Sequence, residues 1–163
     1  MLVVIVMGSP SDSPGGQRVA AKLTEFGIRS EIRIASAHKT PAYLLEMLDK
    51  YEESPEAKVY VTIAGRSNAL SGMIDAQVTA PVIACPPYSD KFGGGDVYSS
   101  LRAPSGVAPA VVMDPENAAL MAAKILGLAN PDVAAAVSRA QSRQRERLFA
   151  ADEIAQQVQD PRE

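Results

Sequence analysis

The run Leu2-Val3-Val4-Ile5-Val6-Met7 constrains this chain more than any other stretch. Side chains on a strand alternate between its two faces, and no polar residue interrupts this run in either register. Both faces must therefore be covered, which is the condition of a central parallel strand with helices on either side. The run is too short to cross a membrane and carries no positive leader, so it is expected to be a buried strand and not a signal segment.

Strand and helix signals alternate along the rest of the chain. Gly8-Ser9-Pro10-Ser11-Asp12-Ser13-Pro14 breaks the first strand. Val19, Ala20, Leu23 and Phe26 then recur at helical spacing from about Gln17, with Gly27 as the stop. A second strand is expected over 30–35, where Glu31 and Arg33 alternate with Ile32 and Ile34, so that one of its faces is less deeply covered. Thr40 as cap and Pro41 in the first turn predict a helix to about Glu53, with Leu44, Leu45 and Leu48 inward. Further strands are expected over 59–64, 81–85 and 108–113. Further helices are expected over 69–78, from Asp96 to Leu101, over 115–128, and finally over 131–158, while Gly93-Gly94-Gly95 reads as a hinge.

Strands alternating with helices, without repeats or linkers, predict one α/β domain over 1–163: a three-layer α/β/α, flavodoxin-like parallel sheet with a long C-terminal helix. A chain of 163 residues buries a sizeable core without staples. That core must be aliphatic, because the chain has no Trp and only 5% aromatic residues. The formal charge of −3 argues against a nucleic-acid partner, which needs a basic face. One cysteine, Cys85, excludes an internal disulfide, suits a cytoplasmic location, and reads as a small buried hydrophobe. With one histidine and no carboxylate pair at ligand spacing, no metal site is expected.

Ligands of such folds sit beyond the carboxyl ends of the strands. Four polar loops, at 8–14, 36–40, 65–68 and 86–96, are expected at that edge. The second of them, Ser36-Ala37-His38-Lys39-Thr40-Pro41, holds the only histidine, a residue type that exchanges protons near neutral pH, with a lysine beside it. Ser9, Ser11 and Asp12 open a helix and either hold a phosphate or ribose or simply cap a turn; the P-loop and dinucleotide signatures are both missing. Gly65-Arg66-Ser67-Asn68 allows the same two readings, an anion clamp by Arg66 or a capped turn with an exposed arginine. The final helix groups Arg139, Arg143, Arg145, Glu146 and Arg147, either as a solvated face or beside an apolar side packed on a neighbouring subunit; membrane binding is disfavoured by Asp152, Glu153 and Asp160.

Four ordered motifs, Met7-Gly8-Ser9-Pro10-Ser11-Asp12, Ser36-Ala37-His38-Lys39, Ala64-Gly65-Arg66-Ser67-Asn68 and Ser99-Ser100-Leu101-Arg102-Ala103-Pro104-Ser105-Gly106, together resemble the phosphoribosylaminoimidazole carboxylase family of purine biosynthesis. The resemblance runs from Val3 through Leu128. The family has a mutase branch, which moves a carboxylate from the exocyclic nitrogen to the ring carbon and usually carries Ser-Ala-His-Arg and a second histidine. Lys39, Arg66 and the single histidine resemble instead the branch that takes carbon dioxide directly, without ATP, biotin, metal or other cofactor.

The resemblance implies reversible carboxylation of 5-aminoimidazole ribonucleotide, with His38 as the proton-transfer group. It implies Ser9, Ser11 and Asp12 at the ribose and phosphate, Ser36 and Lys39 beside the reacting carboxylate, and Gly65, Arg66, Ser67 and Asn68 completing the pocket. Pro10 departs from the usual residue and removes a backbone donor there. A cytoplasmic homo-oligomer, tetramer or octamer, is implied, with the 96–106 segment and the helix over 131–158 as contacts. The mutase reaction and a non-catalytic nucleotide- or flavin-binding module are the alternatives.

Overall fold

A computed structural model describes residues 1–159. Five parallel strands, β1 (Leu2–Met7), β2 (Arg29–Ile34), β3 (Lys58–Ile63), β4 (Val82–Ala84) and β5 (Ala110–Val111), form one sheet in the order β2-β1-β3-β4-β5. β1 lies inside the sheet and is buried along its whole length, as its unbroken apolar run requires.

Alternation along β1 divides the core in two. Val3, Ile5 and Met7 pack with α1 (Ser13–Glu25), α5 (Pro115–Gly127) and the start of α6 (Pro131–Gln159). Leu2, Val4 and Val6 face the other way, onto α2 (Pro41–Glu52) and α3 (Leu70–Asp75). Two helical layers enclose the sheet, the three-layer arrangement expected for strands apolar on both sides.

β2 lies at one edge. Register with Ile5 and Met7 puts Ile32 and Ile34 on the α1 side, where they stay 40% and 45% exposed. Glu31 and Arg33 face α2 instead, where the Tyr51 hydroxyl donates to Glu31 (2.7 Å) and Arg33 donates to the Tyr51 and Tyr43 hydroxyls at 3.2 and 2.9 Å. The incompletely covered face is thus the apolar one.

Several boundaries differ from the sequence expectation. α1 begins at Ser13, not near Gln17, because Pro14 falls in the first turn, where its missing N–H is no loss. Gly16 lets this helix pack closely on β1: a Cβ there would lie 2.7 Å from the Met7 sulfur, and the Met7 side chain would have to shift. β5 spans two residues instead of six, since the three-residue β4 offers it few partners and Pro109 supplies no donor. α3 ends at Asp75, not near Val78. The helix expected from Asp96 starts at Tyr98 as α4 (Tyr98–Leu101), after a kinked segment over Lys91–Val97 in which Phe92, Gly93 and Gly94 take left-handed φ of 56°, 60° and 76°. Thr40 does not cap α2 through its side chain. Asn130 does cap α6, its side-chain oxygen accepting from the amides of Asp132 and Val133.

Candidate active site

The sheet order places the site. The chain leaves β1 for β2 on one side and crosses to β3 on the other, so the loops after β1 and β3 diverge and leave a crevice at their carboxyl ends. A cleft of about 700 Å³ opens there. Its walls come from all four loops expected at this edge.

The loop after β1 supplies Gly8, Ser9, Ser11 and Asp12. The Gly8 amide donates to the Ile63 carbonyl (2.9 Å), and a Cβ on Gly8 would meet that of Ala64 at 3.3 Å, so the β1 and β3 exits run close together. Ser9 caps a 3-10 turn over Pro10–Asp12, with its hydroxyl accepting from the Ser11 amide (3.3 Å) and the Ser11 hydroxyl (2.9 Å). Pro10 takes the first position of that turn, where a missing amide donor costs nothing, and it does not line the cleft. Asp12 caps nothing with its side chain. Partial burial raises its carboxyl above the ordinary value of 3.8, partly opposed by a hydrogen bond from the Ser9 backbone.

The loop after β2 closes on itself. The Ser36 amide donates to the Thr40 hydroxyl (2.9 Å), the Thr40 amide to the Ser36 carbonyl (2.9 Å), and the Lys39 amide to the Ser36 hydroxyl (3.2 Å). Thr40, expected as a helix cap, serves this turn instead. The turn carries Ser36, His38 and Lys39 at the cleft, with His38 and Lys39 exposed and Ser36 half-buried.

From β3 come Gly65, Arg66 and Ser67. Asn68, the fourth residue of that motif, is buried below the lining, donating to the Ser100 hydroxyl (2.9 Å) and accepting from the Ser71 amide (3.3 Å). Its side-chain amide therefore braces the loop from beneath. The loop after β4 adds Pro87, Tyr88, Ser89, Asp90, Lys91 and Asp96. No motif in the sequence marks these six as site residues; the only signal is the position of the 86–96 loop at the same edge.

Charges of both signs border the cleft, with Asp12, Asp90 and Asp96 balancing the cations, so an anionic ligand there is met by discrete groups and not by a net positive field. Lys39, Arg66 and Lys91 border the cleft, and among the described residues none of the three forms an ion pair. Neutral donors from Ser9, Ser11, Ser36 and Ser67 complement them. No cluster of three or more His, Cys, Asp or Glu side chains able to hold a metal occurs among the described residues. Cys85 is buried just past the end of β4, donating to the Met113 carbonyl (3.5 Å). Burial, with the charge of Asp114 adding to it, pushes its thiol up to about 12, so it supplies no nucleophile.

Comparison with known proteins agrees with the motifs. A family model described as AIR carboxylase matches residues 2–147. Over 94% of its length and 84% of the relative's, the chain is 54% identical to the phosphoribosylaminoimidazole carboxylase of Archaeoglobus fulgidus. It is 42% identical over 128 residues to the human bifunctional phosphoribosylaminoimidazole carboxylase/phosphoribosylaminoimidazole succinocarboxamide synthetase, covering 30% of that protein. The crystal structure of Treponema denticola PurE superposes with a TM-score of 0.92 at 48% identity, over 93% of this chain and 96% of that one. With the family model matching residues 2–147 and a relative 54% identical over most of both chains, the chain belongs to the AIR carboxylase family.

Proposed function

We propose that this chain catalyses the reversible, ATP-independent carboxylation of 5-aminoimidazole ribonucleotide by carbon dioxide, giving the 4-carboxy ribonucleotide of purine biosynthesis. The observation that carries this is the convergence of His38, Lys39, Arg66 and the Ser9–Asp12 turn on one cleft in a member of the AIR carboxylase family.

The aminoimidazole ring is an enamine-like nucleophile. Its ring carbon attacks carbon dioxide: a carbon–carbon bond forms, one carbon–oxygen π bond opens to the carboxylate, and the ring carbon briefly bears both a proton and the new group. His38 removes that proton, the electron pair returns to the ring, and aromaticity is restored. In reverse, His38 protonates the same carbon and the carboxylate leaves as carbon dioxide. A single well-placed base is worth roughly 10²–10⁴-fold in rate.

In this reading Ser9 and Ser11 take the phosphate and Asp12 the ribose hydroxyls, while Ser36 and Lys39 border the carboxylate. Gly65 leaves room for close approach, and Arg66 and Ser67 complete the anion pocket. Asn68, buried against Ser100, contributes by bracing that loop. Residues 1–163 act as one carboxylase unit in the cytoplasm, where the lone thiol of Cys85 is at home. Assembly as a homo-oligomer, tetramer or octamer, is supported by apolar side chains left open on the far half of α6, Leu148, Phe149 and Ile154, and on β2, Ile32 and Ile34.

Purified protein given aminoimidazole ribonucleotide and bicarbonate, with no ATP, should consume the ribonucleotide and release the carboxylated product. Absence of that turnover together with rapid conversion of the nitrogen-carboxylated isomer overturns the proposal in favour of the mutase reaction. A yellow, flavin-loaded protein without either activity would point to a binding module.

A further inference from the structure

Arg66 has a left-handed backbone, with φ of 59°, in a position that glycine would fill at lower cost. Only one other residue with a side chain, Phe92, has a positive φ among the described residues. A conformation of this kind persists only where surrounding contacts determine it. Here those contacts come from a segment about thirty residues further on. The Arg66 amide donates to an oxygen of the Asp96 carboxylate (3.1 Å), and its carbonyl accepts from the Ser99 hydroxyl (2.7 Å), which in turn accepts from the Asn68 backbone amide (3.0 Å).

Asp96 itself borders a cleft meant for an anion. With Asp12 and Asp90 it is one of three carboxylates there, and each repels phosphate or carboxylate groups, so its charge works against binding while its acceptor oxygen holds the loop. We propose that Asp96, assisted by Ser99, is a positioning residue that sets the Arg66 backbone and so aims the guanidinium at the substrate's anionic group. The proposal rests on the reading that Arg66 contacts substrate, and it assigns Asp96 no step in the chemistry.

The test is a double-mutant cycle on the full-length protein, reading KM for aminoimidazole ribonucleotide and kcat, with circular dichroism as the check on folding. R66A keeps a β-carbon, and therefore the backbone preference, while deleting the guanidinium; its KM should rise about 10-fold or more. D96A should raise KM by about 10-fold with kcat within about 3-fold, and D96N, which retains an acceptor oxygen, should recover most of that loss. In the R66A background D96A should add less than about 2-fold, because a residue acting through Arg66 has nothing left to position.

S99A gives a second handle should D96A fail to fold: its KM rise should likewise vanish once Arg66 is gone. An equal factor from D96A or S99A in both backgrounds overturns the proposal, as does a D96N variant no better than D96A. An R66A variant with wild-type KM overturns the substrate role of Arg66 and this proposal with it, while leaving the carboxylase assay of the parent protein positive. A parent protein that does not turn over the ribonucleotide fails at the functional reading instead.

Discussion

Thr62→Val should stabilise the protein. Thr62 sits on β3, fully buried, in register between Val6 of β1 and Ala84 of β4, and its hydroxyl has no hydrogen-bond partner among the described residues. Its β-branched shape suits the strand, but its oxygen loses water on folding without gaining a replacement. An unpartnered buried hydroxyl costs roughly 1–3 kcal/mol, and valine keeps the shape while removing the cost. For a chain of this size each kcal/mol is worth about 2–4 °C in Tm, so the variant should melt about 2–12 °C higher. Urea unfolding at matched protein concentration is the better measurement, because self-association, where it occurs, couples stability to concentration. The midpoint should rise with an unchanged m-value. Turnover should be retained, since Thr62 lies in the sheet and not at the cleft. A lower midpoint would mean that the hydroxyl is bonded, for instance to an enclosed water, and would refute the reasoning.

The site and its surroundings give three further expected outcomes. His38→Asn should lower kcat by roughly 10²–10⁴-fold with little change in melting; near-normal turnover removes His38 from proton transfer. Asp12→Asn should separate stability from function. Because burial raises the folded-state pKa of Asp12, its favourable contribution is complete below the unfolded value of 3.8 and is lost as pH rises through the folded value. The asparagine variant should therefore gain stability over the parent at neutral pH, lose that advantage as pH falls toward 3.8, and bind the ribonucleotide more weakly at every pH; a variant less stable at neutral pH contradicts the burial argument. Cys85, with its thiol raised to about 12, should resist an aromatic disulfide reagent in the native state and react within the mixing time in urea; prompt native labelling would show that the sheet edge opens.

The architecture is legible in the sequence because each local signal is short-range. An unbroken, β-branched apolar run of six residues such as 2–7 fits a strand covered on both faces, and the helical spacing of Leu44 and Leu48 or of Ala118, Ala122 and Leu126 tells which side of a helix turns inward. The same reasoning puts four polar loops at one edge, since parallel strands all end on the same side. Boundaries are less legible where neighbours decide them. The helix expected from about Gln17 begins at Ser13 and takes in Gly16 against Met7, and the strand expected over 108–113 is reduced to the two residues its partner can pair.

The sequence by itself determined the residue types the chemistry draws on, the strand–helix alternation, and the single histidine at a strand exit. Tertiary structure decided which polar residues share the cleft. Asn68 stands in a run with Gly65, Arg66 and Ser67, yet its side-chain amide turns inward to Ser100; Asp96, far away in sequence, comes round to hold the Arg66 amide. These assignments turn on hydrogen bonds between residues 32 and 30 positions apart. No pattern of spacing encodes such a contact, because it forms only after the sheet order has brought the β3 and β4 exits together.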